Sequence, residues 1–99
     1  MYTLLTTMDL GAGTQDLQEK LGQQFSSALR GLEGFKELTM FRDPATGKCG
    51  GLSLWETKED AEAALSSTGP KLKEALAGAV KEPPAREVYE VWGVFEPAE

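Results

Sequence analysis

The stretch FKELTMFRDPATGKCGGLSLWET, residues 35–57, decides the fold. Phe35 to Arg42 and Cys49 to Glu56 each read as a strand. The connection Asp43-Pro44-Ala45-Thr46-Gly47-Lys48 places Pro and Gly inside a short polar run, which predicts a hairpin turn. Thr57 follows at once in position to cap a helix, with Asp60 three residues on as a weak capping-box partner. A hairpin feeding directly into a helix belongs to few architectures, and the flanking segments narrow the choice.

Upstream, Tyr2 to about Met8 reads as a strand, and Thr14 with Asp16 marks a helix start. Leu17, Leu21, Phe25, Ala28, Leu29 and Leu32 recur at helical spacing, with Gln18, Glu19, Gln23, Gln24 and Arg30 on other faces. Gly31 and Gly34 mark its end, Gly34 being the expected cap. Downstream, Ala61, Ala64 and Leu65 form a narrow apolar helix face. Gly69-Pro70 is expected to break that helix, because proline lacks a donor and restricts the residue before it. A further helical turn or two carries Leu72, Leu76, Ala79 and Val80 inward, Pro83-Pro84 ends it, and Arg86 to Phe95 reads as a long last strand. The order is βαββαβ, an α+β ferredoxin-like antiparallel sheet with both helices on one face.

Strand faces alternate with a period of two. Tyr89, Val91, Gly93 and Phe95 then oppose Val88, Trp92 and Val94; Tyr2, Leu4 and Met8 oppose Leu5; Phe35 and Phe41 oppose Leu38 and Met40. Both faces carry large apolar groups, and two helices cover only one. The uncovered face would be a large exposed patch, and a second copy packed against it removes the patch. A homodimer is therefore expected.

Ninety-nine residues suit a single domain over 1–99. A chain this size buries only roughly 60–65% of its unfolded surface, so partner surface helps it. The formal net charge is −6, with ten basic residues dispersed among sixteen acids, a balance that weighs against phosphate-backbone binding, so no nucleic-acid partner is expected. The acidic stretches at residues 56–60 and 96–99 read as solvated surface. No apolar run reaches the roughly 18–20 residues of a membrane span, and the N-terminal residues do not read as a signal peptide, so a cytoplasmic protein with no membrane partner is expected.

The chain has no histidine and one cysteine, Cys49. An intrachain disulfide, a Cys/His zinc site and imidazole-assisted Ser or Cys nucleophiles are all excluded. Proton transfer would fall to a carboxylate, a lysine, a tyrosine or the substrate itself. Gly47-Lys48 fails as a phosphate loop: Arg42 stands where glycine is needed, Cys49 where Ser or Thr is needed, and a strand follows. Gly11-Ala12-Gly13 lacks the third glycine of a dinucleotide fingerprint, Asp16 standing there. Cys49 reads as a small packing residue.

Three features together resemble one family: the order of elements, Leu32-Glu33-Gly34-Phe35 leading from helix to strand, and Leu52-Ser53-Leu54-Trp55-Glu56-Thr57 running into an acidic helix. Across essentially the whole chain they are similar to the antibiotic biosynthesis monooxygenase-like domains of the dimeric α+β barrel superfamily. The resemblance implies a homodimeric barrel with a small pocket in each subunit between sheet and helices. Relatives include cofactor-independent oxygenases of aromatic polyketides and haem-degrading enzymes. The haem-degrading members use an Asn near the end of strand one and a Trp and a His on helix two. Here Thr6 or Thr7 stands at the Asn position, Ala64 falls near the Trp position, and the His is missing, so haem degradation is not expected. The polyketide oxygenases also place Asn and Trp in the pocket.

The expected ligand-pocket residues are Thr6, Thr7, Tyr89 and Trp92, with Arg42 able either to bind an anionic ligand or to form a surface salt bridge. Trp55 reads as a ring sealing the junction of the third strand and second helix. Two functions follow from the resemblance. One is a cofactor-independent monooxygenase acting on a small aromatic or hydrophobic compound, with no metal or other cofactor. The alternative is a non-catalytic ligand-binding or scaffold homodimer of the same fold.

Overall fold

The computed structural model describes residues 1–80 and 82–98. Its elements run β1 (Tyr2–Asp9), α1 (Gln15–Arg30), β2 (Phe35–Arg42), β3 (Lys48–Trp55), α2 (Lys58–Ala75) and β4 (Ala85–Glu90). The strands form one antiparallel sheet in the order β2-β3-β1-β4, and both helices pack on one of its faces. The βαββαβ ferredoxin-like arrangement expected from the sequence is the one observed.

Residues directly opposite each other in an antiparallel pair share a face. Leu4 lies opposite Ser53 and Val88, and Ser53 opposite Leu38, so all four turn toward the helices. There they meet Leu29 of α1 and Ala61 and Ala64 of α2, which with Leu4 and Trp55 make the main core. A second cluster, Leu10, Leu21, Leu72 and Leu76, closes the other end of the helix layer.

Three boundaries differ from the sequence reading. First, α2 does not break at Gly69-Pro70 but runs through it to Ala75. Pro70 is exposed, and the N–H it lacks leaves the carbonyl of Ser66, four residues back and itself exposed, without its helical donor and open to water. Second, α1 is closed by Gly31 in a right-handed conformation, and Gly34 sits in the following turn. Gly34 is fixed as glycine for another reason: its φ is +81°, and a Cβ there would overlap the Asp60 side chain. Third, the last strand stops at Glu90 instead of reaching Phe95. Glu90 is opposite Tyr2, Val91 adds one bond to the Met1 carbonyl at 2.9 Å, and no described strand lies beside the segment that follows.

Strict alternation also fails in β2. Its register slips between Phe35 and Glu37, Phe35 lying opposite Trp55 while Glu37 lies opposite Leu54. The extra residue, Lys36, puts Phe35 and Leu38 on the same, helix-facing side. Phe41 is thereby turned to the opposite face. At the helix starts, Thr57 accepts from the Asp60 amide at 3.1 Å as expected. Thr14 makes no such cap; its hydroxyl donates to the Gly11 carbonyl at 2.7 Å and accepts from Gln18 Nε2 at 3.1 Å.

Candidate ligand cleft between helix one and the sheet

Small side chains open a cleft of about 790 Å³ between α1 and the β1-β3-β2 part of the sheet. Gly22 lies in its roof and Gly50 and Gly51 in its floor. A Cβ on Gly51 would come within 3.1 Å of Met40 Sδ, so the floor is as deep as the backbone allows. Leu21 and Phe25 of α1, Met8 of β1 and Leu38 and Met40 of β2 make the walls apolar. A concave, largely apolar space of this volume with a few polar groups suits a small organic ligand.

Among the residues expected to serve a pocket, Thr6 lies on the cleft floor and is almost wholly buried. Its Oγ1 accepts from Arg86 Nε at 3.1 Å. Arg42 stands at the mouth, where its guanidinium meets Glu19 at 3.4 Å, the salt bridge that the sequence left open. Thr7 turns to the opposite sheet face and touches a separate, open groove near Asp9 and Lys48. Tyr89 is on that opposite face too, because it pairs with Thr3. Trp92 lies beyond β4, 84% exposed, its ring edge-on to Phe95 at 5.6 Å. The structure thus gathers Thr6 and Arg42 in one cleft and leaves Thr7, Tyr89 and Trp92 outside it.

Trp55 is fully buried beneath α2, edge-on to Phe35 at 5.6 Å, and its indole N–H donates to Ser53 Oγ at 2.9 Å. It is core, not cleft. Cys49 borders the cleft, and its thiol is pushed up from the ordinary value by burial and, second, by the Asp9 charge. It is a poor nucleophile at neutral pH. No group of three or more His, Cys, Asp or Glu side chains that could hold a metal ion occurs among the described residues.

Two polar residues of this region were missed from sequence. Gln18, placed by the sequence on a face other than the apolar stripe, is only 8% exposed and lines the cleft. The signal was there: Gln18 is three, seven and eleven residues before Leu21, Phe25 and Leu29, on the same helical stripe. Arg86, read only as the start of a strand, reaches inward. It donates to Thr6, to the Leu65 carbonyl and, at 2.8 Å, to Thr68 Oγ1, with its guanidinium carbon 5.7 Å from the centre of the Phe25 ring. Burial lowers its pKa from the ordinary value.

No protein-family model matches the sequence, and no curated protein matches it at a significant level. Solved structures do match in fold. The ActVA-Orf6 monooxygenase of Streptomyces coelicolor, in complex with nanaomycin D, superposes with a TM-score of 0.78 at 18% identity, covering 98% of this chain and 92% of that one. SnoaB, a cofactor-independent oxygenase from Streptomyces nogalater, gives 0.77 at 13% identity in its N63A mutant, covering 97% of each chain. A Deinococcus radiodurans protein provisionally assigned as an antibiotic biosynthesis monooxygenase gives 0.73 at 17% identity over the full length of both chains. The chain therefore has the fold of the antibiotic biosynthesis monooxygenase domain proteins, as the sequence resemblance implied.

Proposed function

We propose that the chain is a cofactor-independent monooxygenase-like protein of the cytoplasm, acting as a homodimer on a small aromatic or hydrophobic compound held in the α1 cleft. The observation that carries this reading is the cleft itself: an apolar space of about 790 Å³ with the buried hydroxyl of Thr6 on its floor. In such chemistry the substrate loses a proton from a CH₂ group flanked by aromatic rings. The resulting anion is electron-rich enough to reduce oxygen directly. One oxygen atom enters the substrate as a carbonyl and the other leaves as water, the four electrons coming from that carbon. The protein's part is to exclude water, orient the anion and supply hydrogen bonds to it.

The homodimer is supported by the sheet face opposite the helices. Phe41, Leu52 and Tyr89 lie there, between 41% and 49% exposed, beside Leu5 and Leu54. No described helix covers them. The exposed segment after β4, with Trp92, Val94 and Phe95, adds apolar surface that a partner subunit would cover.

A second reading, a non-catalytic binding protein, is favoured by the polar groups of the cleft. Its two carboxylates, Glu19 and Glu37, are both exposed, and Glu19 is held by Arg42, which leaves the cleft floor without an acidic base. Oxygen uptake by the metal-free protein with a panel of hydroquinones and anthrones separates the two. Turnover above buffer supports the oxygenase; binding without turnover supports the carrier.

A further inference from the structure

Thr6 and Arg86 sit directly opposite each other on β1 and β4 and both turn toward the helices. Every described acceptor of the Arg86 guanidinium is neutral: the Thr6 and Thr68 hydroxyls and the Leu65 carbonyl. Among the described residues no carboxylate lies within salt-bridge distance of it. A half-buried cation without a counter-charge is a costly arrangement that three hydrogen bonds only partly offset. The Thr6 hydroxyl accepts from this cation, and its own proton is donated to no acceptor among the described residues. A hydroxyl that accepts from a cation is a strengthened donor. Thr6 lines the floor of the cleft and is 2% exposed.

The roof carries the complementary group. Gln18 lines the cleft and uses its Nε2–H on Thr14, while its buried Oε1 has no hydrogen-bond partner among the described residues. A buried amide carbonyl left unpaired is costly, and a ligand donor would relieve it. Gln18 and Phe25, the ring beside Arg86, are seven residues apart on α1, about 10 Å along its axis. The cleft therefore presents a cation-backed donor at one end, an unmet acceptor at the other and apolar walls between.

We propose that Arg86 is a positioning residue that acts through Thr6 to hold a cleft ligand as its oxyanion, and that Gln18 orients the same ligand by accepting from a second, neutral hydroxyl. The ligand class is a hydroxyaromatic compound with two separated oxygens, bound as its monoanion. This rests on the reading that the cleft is the ligand site, but not on oxygen chemistry. The other charged groups facing the cleft are Glu19 and Arg30 of α1 and Glu37 and Arg42 of β2; all are exposed. Cys49 of β3 borders it with its thiol kept protonated.

The test is an anaerobic pH titration of two probes, 2,6-dihydroxynaphthalene and 2-naphthol, followed by naphtholate absorbance with and without the protein. Bound dihydroxynaphthalene is expected to ionise at least about one pH unit lower than free. Thr6→Val and Arg86→Met abolish that shift, and Arg86→Lys restores part of it. Gln18→Met weakens the diol about tenfold and leaves 2-naphthol unchanged. Thr6→Val is nearly isosteric and carries the test if Arg86→Met does not fold. An unshifted or raised ionisation, a shift that survives Thr6→Val, equal effects of Gln18→Met on both probes, or no binding of either probe at millimolar concentration would each overturn the proposal. Because oxygen is excluded, a lowered ionisation here together with no oxygen uptake in air with the anthrone panel would sink the oxygenase reading and leave this one standing.

Discussion

The indole N–H of Trp55 donates to the Ser53 hydroxyl at 2.9 Å, and both side chains are closed to solvent. Ser53 in turn donates to the Leu4 carbonyl across the β1–β3 pair at 3.3 Å. The largest core residue is thus satisfied by one small hydroxyl two positions before it. Ser53→Ala leaves the indole N–H buried without an acceptor, which costs about 1–3 kcal/mol. Urea denaturation should show the midpoint falling with an unchanged slope. Trp55→Phe removes the same donor, so the double variant should lose less than the sum of the two single losses.

Cys49 predicts an alkaline loss of stability. Its folded thiol holds the proton more tightly than the unfolded one, through burial first and the Asp9 charge second. The contribution is fully present below the unfolded value of about 8.5 and is lost as pH rises through the folded value. Thermal midpoints of the wild type should therefore decline from about pH 8.5 upward, and Cys49→Ser should flatten part of that slope. Tyr2, raised chiefly by the Glu90 charge and also by its hydrogen bond to it, has the same sign at higher pH and remains in the variant. Iodoacetamide should react with Cys49 more slowly in the native protein at pH 8 than in urea; equal rates would refute the buried, protonated thiol.

Element order, the hairpin and the Thr57 cap were legible in the sequence because each is a local signal of turn chemistry or periodicity. What escaped was set by tertiary partners. The bulge at Lys36 leaves no sign in composition, yet it decides which face Phe41 joins. The end of β4 depends on where β1 stops pairing, not on the β-rich run through Phe95. Of the candidate cleft, Thr6 and Arg42 are legible in the sequence, whereas Gln18 and Arg86 are hidden by their polarity. A polar residue on an apolar stripe is easily assigned to water when it is in fact facing a cavity.

Pro70 inside α2 makes a prediction of opposite sign. Proline in a helix interior costs up to about 3 kcal/mol relative to alanine, through its missing N–H and its ring. Pro70 is exposed, so Pro70→Ala should restore the backbone bond to the Ser66 carbonyl and raise the thermal midpoint. A lowered midpoint would overturn this prediction.

The proposed dimer rests on the sheet face that carries Phe41, Leu52 and Tyr89. Leu52 is on β3, an interior strand of the sheet, and Phe41 on β2, the edge strand that closes this side. A charge at either point would have to be desolvated against the partner's apolar face, a cost of several kcal/mol that one subunit alone would never meet. Leu52→Glu should therefore shift the protein from dimer to monomer in light scattering at micromolar concentration while leaving its far-ultraviolet circular dichroism unchanged. Deleting residues 92–98 should weaken the dimer by a smaller factor, since Trp92 and Phe95 offer surface outside the sheet. A wild-type chain that runs as a stable monomer at the same concentration would remove the basis for both variants.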